Sequence, residues 1–329
     1  MIATTSLRRG LILTALIILV VVSAQRWRAI QEVGKETLTK DTTWRGDIVV
    51  TGDVCVPPGI TLTIEPGTKI RFRKIEAESD RNLFAADSPY YPQAEIIVTG
   101  RLIAKGTPER PILFSSAEGK PKPADWGALN FLGNTANVLE NCRIEYAYNG
   151  VHAHGAQVLI KNCTLTKNSV AISFKKEEEA KGSPGFGIGS DLVVSGNLIE
   201  GNKGGINVRK SSATITHNII RDNKSFGIYV KEECRGEISR NVITGNKKGI
   251  FFYRASGLNI TGNDIYDNND YNLAVADEQE KDITLGSNWY GTTDRQLIEA
   301  MIFDQKVDPD MARIVVEPVA TARIAGAGR

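Results

Sequence analysis

Apolar and polar residues alternate in short runs along most of the chain, and the runs recur with a fixed grammar. From Leu192 the sequence reads LVVSGNLIEGNKGGINV, ATITHNIIRDNKSFGIYV, GEISRNVITGNKKGIFF and LNITGNDIYDNNDYNLAV. Each unit is a β-branched run, an Asn, one residue, an aliphatic, a second Asn, and a Gly-Ile pair or its equivalent. The first Asn falls at Asn197, Asn218, Asn241 and Asn263, and the second at Asn202, Asn223, Asn246 and Asn268. The aliphatic after the turn forms a column: Leu129, Val151, Ile172, Ile206, Ile228, Ile250 and Leu273. A repeat near 22 residues built from strand-formers predicts one solenoid coil per repeat, apolar residues facing inward at alternate positions. Asn and Gly suit the corners because they tolerate left-handed backbone angles. Stacked coils also align identical side chains, so buried Asn amides can bond to those above and below.

These repeats resemble the right-handed parallel β-helix family, the pectate-lyase-like fold of exported bacterial proteins. The resemblance implies an all-β, single-stranded solenoid of about ten coils with an Asn ladder, roughly 50 Å long at the usual strand spacing. Function must be argued from a site, because one fold hosts many activities. The expected organisation is a linker or N-terminal cap at 25–43, the β-helix at 44–291, a C-terminal cap with a short helix at 292–318, and a small, basic, disordered tail at 319–329. DITLGSNWYG closes the last coil, and Thr293 to Gln296 has capping-box spacing before LIEAMIF. Two insertions interrupt the pattern: Lys74 to Gln93, read as a surface loop, and 175–190, charged and then Gly-rich.

Residues 1–24 read as a signal peptide or a retained membrane anchor. Arg8 and Arg9 precede the apolar stretch Leu11 to Val22, and Ser23-Ala24 follows. The expected location is therefore exported, periplasmic or extracellular, with membrane contact only through residues 1–24. A net charge of +2 on 329 residues implies no general attraction to nucleic acid. Four cysteines are too few for a disulfide scaffold. Cys142 and Cys163 fall in the Asn column of the first coils and read as an inward thiol ladder, with a disulfide as the alternative.

Since Ile206 and Val208 face inward, residues one and three beyond the column aliphatic face out. The first outward column is Asn130, His152, Ser173, Asn207, Tyr229, Phe251 and Ala274. The second is Leu132, His154, Lys175, Arg209, Lys231, Tyr253 and Ala276, with Lys176, Lys210 and Arg254 just beyond. Lys175, Arg209, Lys210, Tyr229, Lys231, Phe251, Tyr253 and Arg254 thus form a basic and aromatic strip. Arg and Lys pair with uronate carboxylates, and flat aromatics pack against sugar faces. By resemblance, this face lines the substrate groove in polysaccharide lyases of the fold.

The leading expectation is a non-catalytic protein that binds an acidic polysaccharide or another envelope component. Neither outward column holds the two carboxylates of a glycosidase. The second expectation is a lyase or epimerase of uronate polymers, with Lys231 or Lys175 as base and Arg209 neutralising the uronate. No cofactor is expected for binding, whereas a lyase could use Ca²⁺. The third is a structural or partner-binding solenoid. His152 and His154, at i and i+2, suit Cu or Zn with a third ligand, and copper handling has an analogue among periplasmic β-helix proteins. Two surface histidines are the plainer reading.

Overall fold

Short β-branched strands separated by Asn and Gly corners stack here into parallel ladders, coil upon coil. The computed structural model describes residues 30–328 apart from 78, 88, 176–181 and 183. The leader expected at 1–24 lies outside the described residues. Each coil has three faces. One is a parallel sheet of ten strands, from Gln31–Val33 to Asp264–Tyr266, which gives ten coils. Opposite it run two more ladders. The column face includes Val54–Val56, Ile96–Val98, Trp126–Leu132, Ala147–His154, Val170–Lys175 and Gly204–Arg209. A second face follows each of these, as in Gln157–Lys161, Asp191–Ser195 and Ser212–Thr216. In two coils the corner between these faces is bridged by one strand, Phe226–Ser239 and Lys248–Ile260, with shifts in register at the bend.

Inward apolar residues form one continuous core along the solenoid. Phe72 stacks on Trp126 at 4.1 Å, and Trp126 Nε1 donates to the Glu145 carbonyl. The corners are closed by two Asn ladders. Asn197, Asn218, Asn241 and Asn263, continued by Asn288, are fully buried. Each Oδ1 accepts from the backbone N and the Nδ2 of the Asn one coil above, as Asn263 does from Asn241 at 3.0 and 2.9 Å. Each Nδ2 also donates to a main-chain carbonyl, so the buried amides are satisfied. A second ladder runs through Asn168, Asn202, Asn223, Asn246 and Asn268. Cys163 continues the first one: its backbone N donates to Asn197, while its Sγ accepts from the Cys142 N at 3.4 Å. Both thiols are buried and free, and burial pushes Cys142 well above the usual thiol range.

The ends differ from expectation. Among the described residues pairing starts at Gln31–Val33, which sits on Ile48–Val50, so the first coil begins inside the segment expected to be a linker or N-terminal cap. The cap helix is Arg295–Ala300, with Asp294 rather than Thr293 as its N-cap, accepting from Gln296 and Leu297 N. The tail at 319–328 is not loose. Arg323 Nε donates to the buried Asp264 at 3.0 Å, the Ile324 N donates to the same carboxylate, and the Gly328 N donates to the Arg240 carbonyl. Composition suggested disorder, but an Asp on the ten-stranded face holds the tail down. Among the described residues no helix is long and apolar enough to cross a membrane.

Candidate functional site: the column face

Strand register sets both outward columns as the repeat predicts. Asn130 pairs with His152, then Ser173, Asn207, Tyr229, Phe251 and Ala274 follow, one per coil. Beside them Leu132, His154, Lys175, Arg209, Lys231 and Tyr253 are in register. Upstream, the first column extends to Ile97 and Cys55. One face therefore carries one continuous set of side chains, but its two halves meet different surroundings.

From Asn207 onward the face is open. Tyr229 and Phe251 stack at 4.6 Å, and Phe226 tilts against Tyr229. Gly204 permits this, because a Cβ there would collide with the Phe226 ring. Cations lie over the rings: Lys231 Nζ is 4.3 Å from the Tyr229 centroid, Lys248 Nζ 4.1 Å from Phe251, and the Arg254 guanidinium 5.4 Å from Tyr253. The ring quadrupole attracts each cation. The strip is less basic than its sequence suggests, because the Glu232 carboxylate bonds both Arg209 and Lys210. Burial pushes the Glu232 carboxyl up, but hydrogen bonds from Lys210 and Arg209 outweigh it and hold the group below its ordinary range. Lys175 lies on its strand in register, while its side chain and Lys176 fall outside the described residues.

Two members of the open face escape the two-column reading. Phe226 and Lys248 open their strands two residues before the inward Ile228 and Ile250, where strict alternation would turn them inward, yet both are partly exposed and touch the outward rings of Tyr229 and Phe251. Partial burial lowers the Lys248 amine from its usual range. Strand alternation gives no signal for them.

The N-terminal half is closed. His152 and His154 are not surface residues: they are 3% and 0% exposed, beneath the insertion expected to be a surface loop. Asn130 Nδ2 donates to the Pro89 carbonyl at 2.9 Å and to Glu95 at 2.8 Å, so its Oδ1 must accept from His152 Nδ1 at 3.0 Å. His152 Nε2 then faces His154 Nε2 at 3.0 Å, and the two nitrogens hold one proton between them. The Tyr91 ring meets His152 edge-on, and its hydroxyl bonds Asn149. Glu95 also accepts from the Tyr91 N, while Asp53 accepts from the Leu83 N at 2.7 Å and the Glu95 N at 3.2 Å. Burial raises both carboxyls, Asp53 to about 6 and Glu95 well above its usual range, and the charge on Asp53 pushes Glu95 further up. The insertion is long-range packing material with buried partners.

No cluster of three or more His, Cys, Asp or Glu placed to hold a metal ion occurs among the described residues. The two histidines are instead spent on Asn130 and on each other. Among the described residues no pair of outward carboxylates stands in the two columns, and Lys231 and Arg209, the expected base and neutralising cation, are engaged with Tyr229 and Glu232.

A family model described as a right-handed β-helix region matches residues 124–265 and 227–299. Another, described as a pectate-lyase-like β-helix domain, matches residues 35–194. Among solved structures the chain is similar to a mutant of a periplasmic alginate epimerase, with 12% identity over 89% of this chain and 82% of that one, at a TM-score of 0.38. No curated protein matches.

Proposed function

Because the chain belongs to the right-handed parallel β-helix family, we propose that it is an exported envelope protein that binds an acidic polysaccharide without turning it over. The carrying observation is the open half of the column face, where Lys231, Lys248 and Arg254 are each held over an aromatic ring on neighbouring coils. Rings fix the cations in place, so a carboxylated polymer meets charges whose positions are already set. A polymer laid along the solenoid axis would pass the Lys231 pair on one coil and the Lys248 and Arg254 pairs on the next, about 4.8 Å further on. Export would rest on residues 1–24, as signal or anchor.

Catalysis has less support. Acid–base cleavage of a glycosidic bond needs two carboxylates, and Glu232 is committed to two cations. One observation favours a lyase or epimerase as the second reading: Lys248, with its lowered amine, is the best-placed base on the open face.

Co-sedimentation of the full chain with alginate and pectate tests the proposal. Binding should weaken as salt is raised and fall about tenfold in Lys231→Ala. A rise in ultraviolet absorbance from unsaturated uronate, lost in Lys248→Met, would replace the binding reading with a lyase. Neither binding nor product would leave the strip an ordinary solvated face.

A further inference from the structure

Where the column face turns into the second face, the chain makes the same left-handed corner in five of the described coils. In the closed half the corner residue is Gly133 (φ 60°) or Gly155 (φ 60°), the usual solution. In the open half it is Lys210 (φ 46°), Glu232 (φ 58°) and Arg254 (φ 48°). A bulky residue in this conformation is unfavourable by roughly 1–2 kcal/mol. Charged side chains stand at these corners, as Lys167, Asp222, Arg240 and Asp267 do at other corners of the solenoid.

Beside Lys210 the corner opens into a cleft of about 490 Å³ that crosses three coils, between the end of the second insertion and the bend of Phe226–Ser239. A volume of that size suits a small ligand. Its walls are Lys210, Ser211, Ser212, Glu233 and Arg235 with Gly189, and no aliphatic or aromatic side chain lines it. Ser211 fixes the corner, accepting from the Ser190 N and donating to the Arg209 carbonyl. Ser212 is exposed on the wall. Glu232 joins Lys210 and Arg209, and Glu233 lies 3.5 Å from Arg235. Among the lining charges Lys210 and Arg235 outnumber Glu233 by one, with the exposed Asp191 in register with Ser212 at the margin. That balance, with hydroxyl and backbone groups as the other partners, matches a hydroxylated ligand carrying a single negative charge.

We infer that this corner cleft is a subsite for one uronate residue, with Arg235 as carboxylate partner and Ser212 and Glu233 meeting hydroxyls. It rests on the polysaccharide reading of the strip, and it adds a place where a chain end or side branch leaves the column face and turns the corner.

Free glucuronate is the probe, followed by saturation-transfer NMR on the full chain, with glucose as the uncharged control. Wild type and Lys69→Ala, on the ten-stranded face, should bind glucuronate alike, and glucose should bind about tenfold more weakly. Arg235→Glu and the cleft-filling Ser212→Trp, each checked for folding by circular dichroism, should weaken glucuronate about tenfold or more. A signal undiminished in both cleft variants overturns the subsite, as does its loss in Lys69→Ala. Absence of any glucuronate signal in wild type overturns it too, while polymer sedimentation judges the strip separately.

Discussion

The two halves of the column face share one register and have opposite fates. Asn130 and Asn207 occupy the same column, yet the first is sealed beneath Pro89 and bonded to Glu95 and His152, while the second is half-exposed beside Ser173. In the closed half, outward polar groups are consumed by one another and by a chain segment from a distant insertion. In the open half, side chains of similar origin form a cation–aromatic surface with room for a partner. The repeat decides where a side chain points. The insertions decide whether it reaches solvent.

The largest expected effect breaks that contrast at its centre. Asn130→Leu strands the Glu95 carboxylate, the Pro89 carbonyl and His152 Nδ1 in a buried site, and should destabilise the fold by about 3 kcal/mol. Asn207→Leu, in the same column, should change stability by less than about 1 kcal/mol. Urea unfolding of the two variants measures both, and equal losses would show that the halves are not energetically distinct.

Next comes pH, because the halves titrate in opposite senses. Asp53 is raised from 3.8 to about 6, so its contribution is full below pH 3.8 and is lost as pH rises through about 6. A rise of that size corresponds to roughly 3 kcal/mol, and Glu95 acts in the same direction. Glu232 is lowered, so its contribution is present above 4.5 and lost as pH falls through its folded value. Unfolding free energies between pH 4 and 7 should therefore fall with pH in wild type and flatten in Asp53→Asn. An unchanged slope in that variant would remove the buried carboxylates as the cause. The groups around Asp53 are Glu95, Cys55, Asn82, the Leu83 amide and, at a distance, Lys35.

A smaller change sharpens the open half alone. Phe251→Ala removes the ring under Lys248 and the stack on Tyr229, worth about 1 kcal/mol beyond its buried area. Alginate binding should fall several-fold more than stability explains. If sedimentation is unaffected, the aromatic floor has no part in recognition.

How far the sequence carried these halves follows from distance along the chain. The columns were legible because strand period and Asn corners are local and recur, so Ile172, Ile206 and Ile228 fix their outward neighbours. The sealing of His152 was not, since Pro89 and Tyr91 reach it from a separate insertion with no repeat. Glu232 reads as a turn residue, but its left-handed corner swings the carboxylate back onto Arg209 and Lys210. Likewise the tail reads as small and basic, and only the burial of Asp264 reveals its partner. Strand alternation points Phe226 and Lys248 inward, so their contacts with Tyr229 and Phe251 were not legible in the repeat.

The smallest predicted effect is the most discriminating, because its sign differs for the two readings of the corner. Gly133 and Gly155 show what the backbone prefers where Arg254 sits at φ 48°. Arg254→Gly relieves roughly 1–2 kcal/mol of left-handed strain and loses roughly 0.5–1 kcal/mol to chain entropy. It also gives up the contact of the guanidinium with Tyr253, which at an exposed site is worth about 0.5 kcal/mol. Stability should therefore stay level or rise slightly, while alginate binding weakens and its salt dependence becomes shallower. An arginine retained for folding would give the reverse, a clear drop in the unfolding midpoint with binding intact. A corner charge that lowers stability and raises affinity is one selected for a partner, and the glycines one half-solenoid away are its internal control.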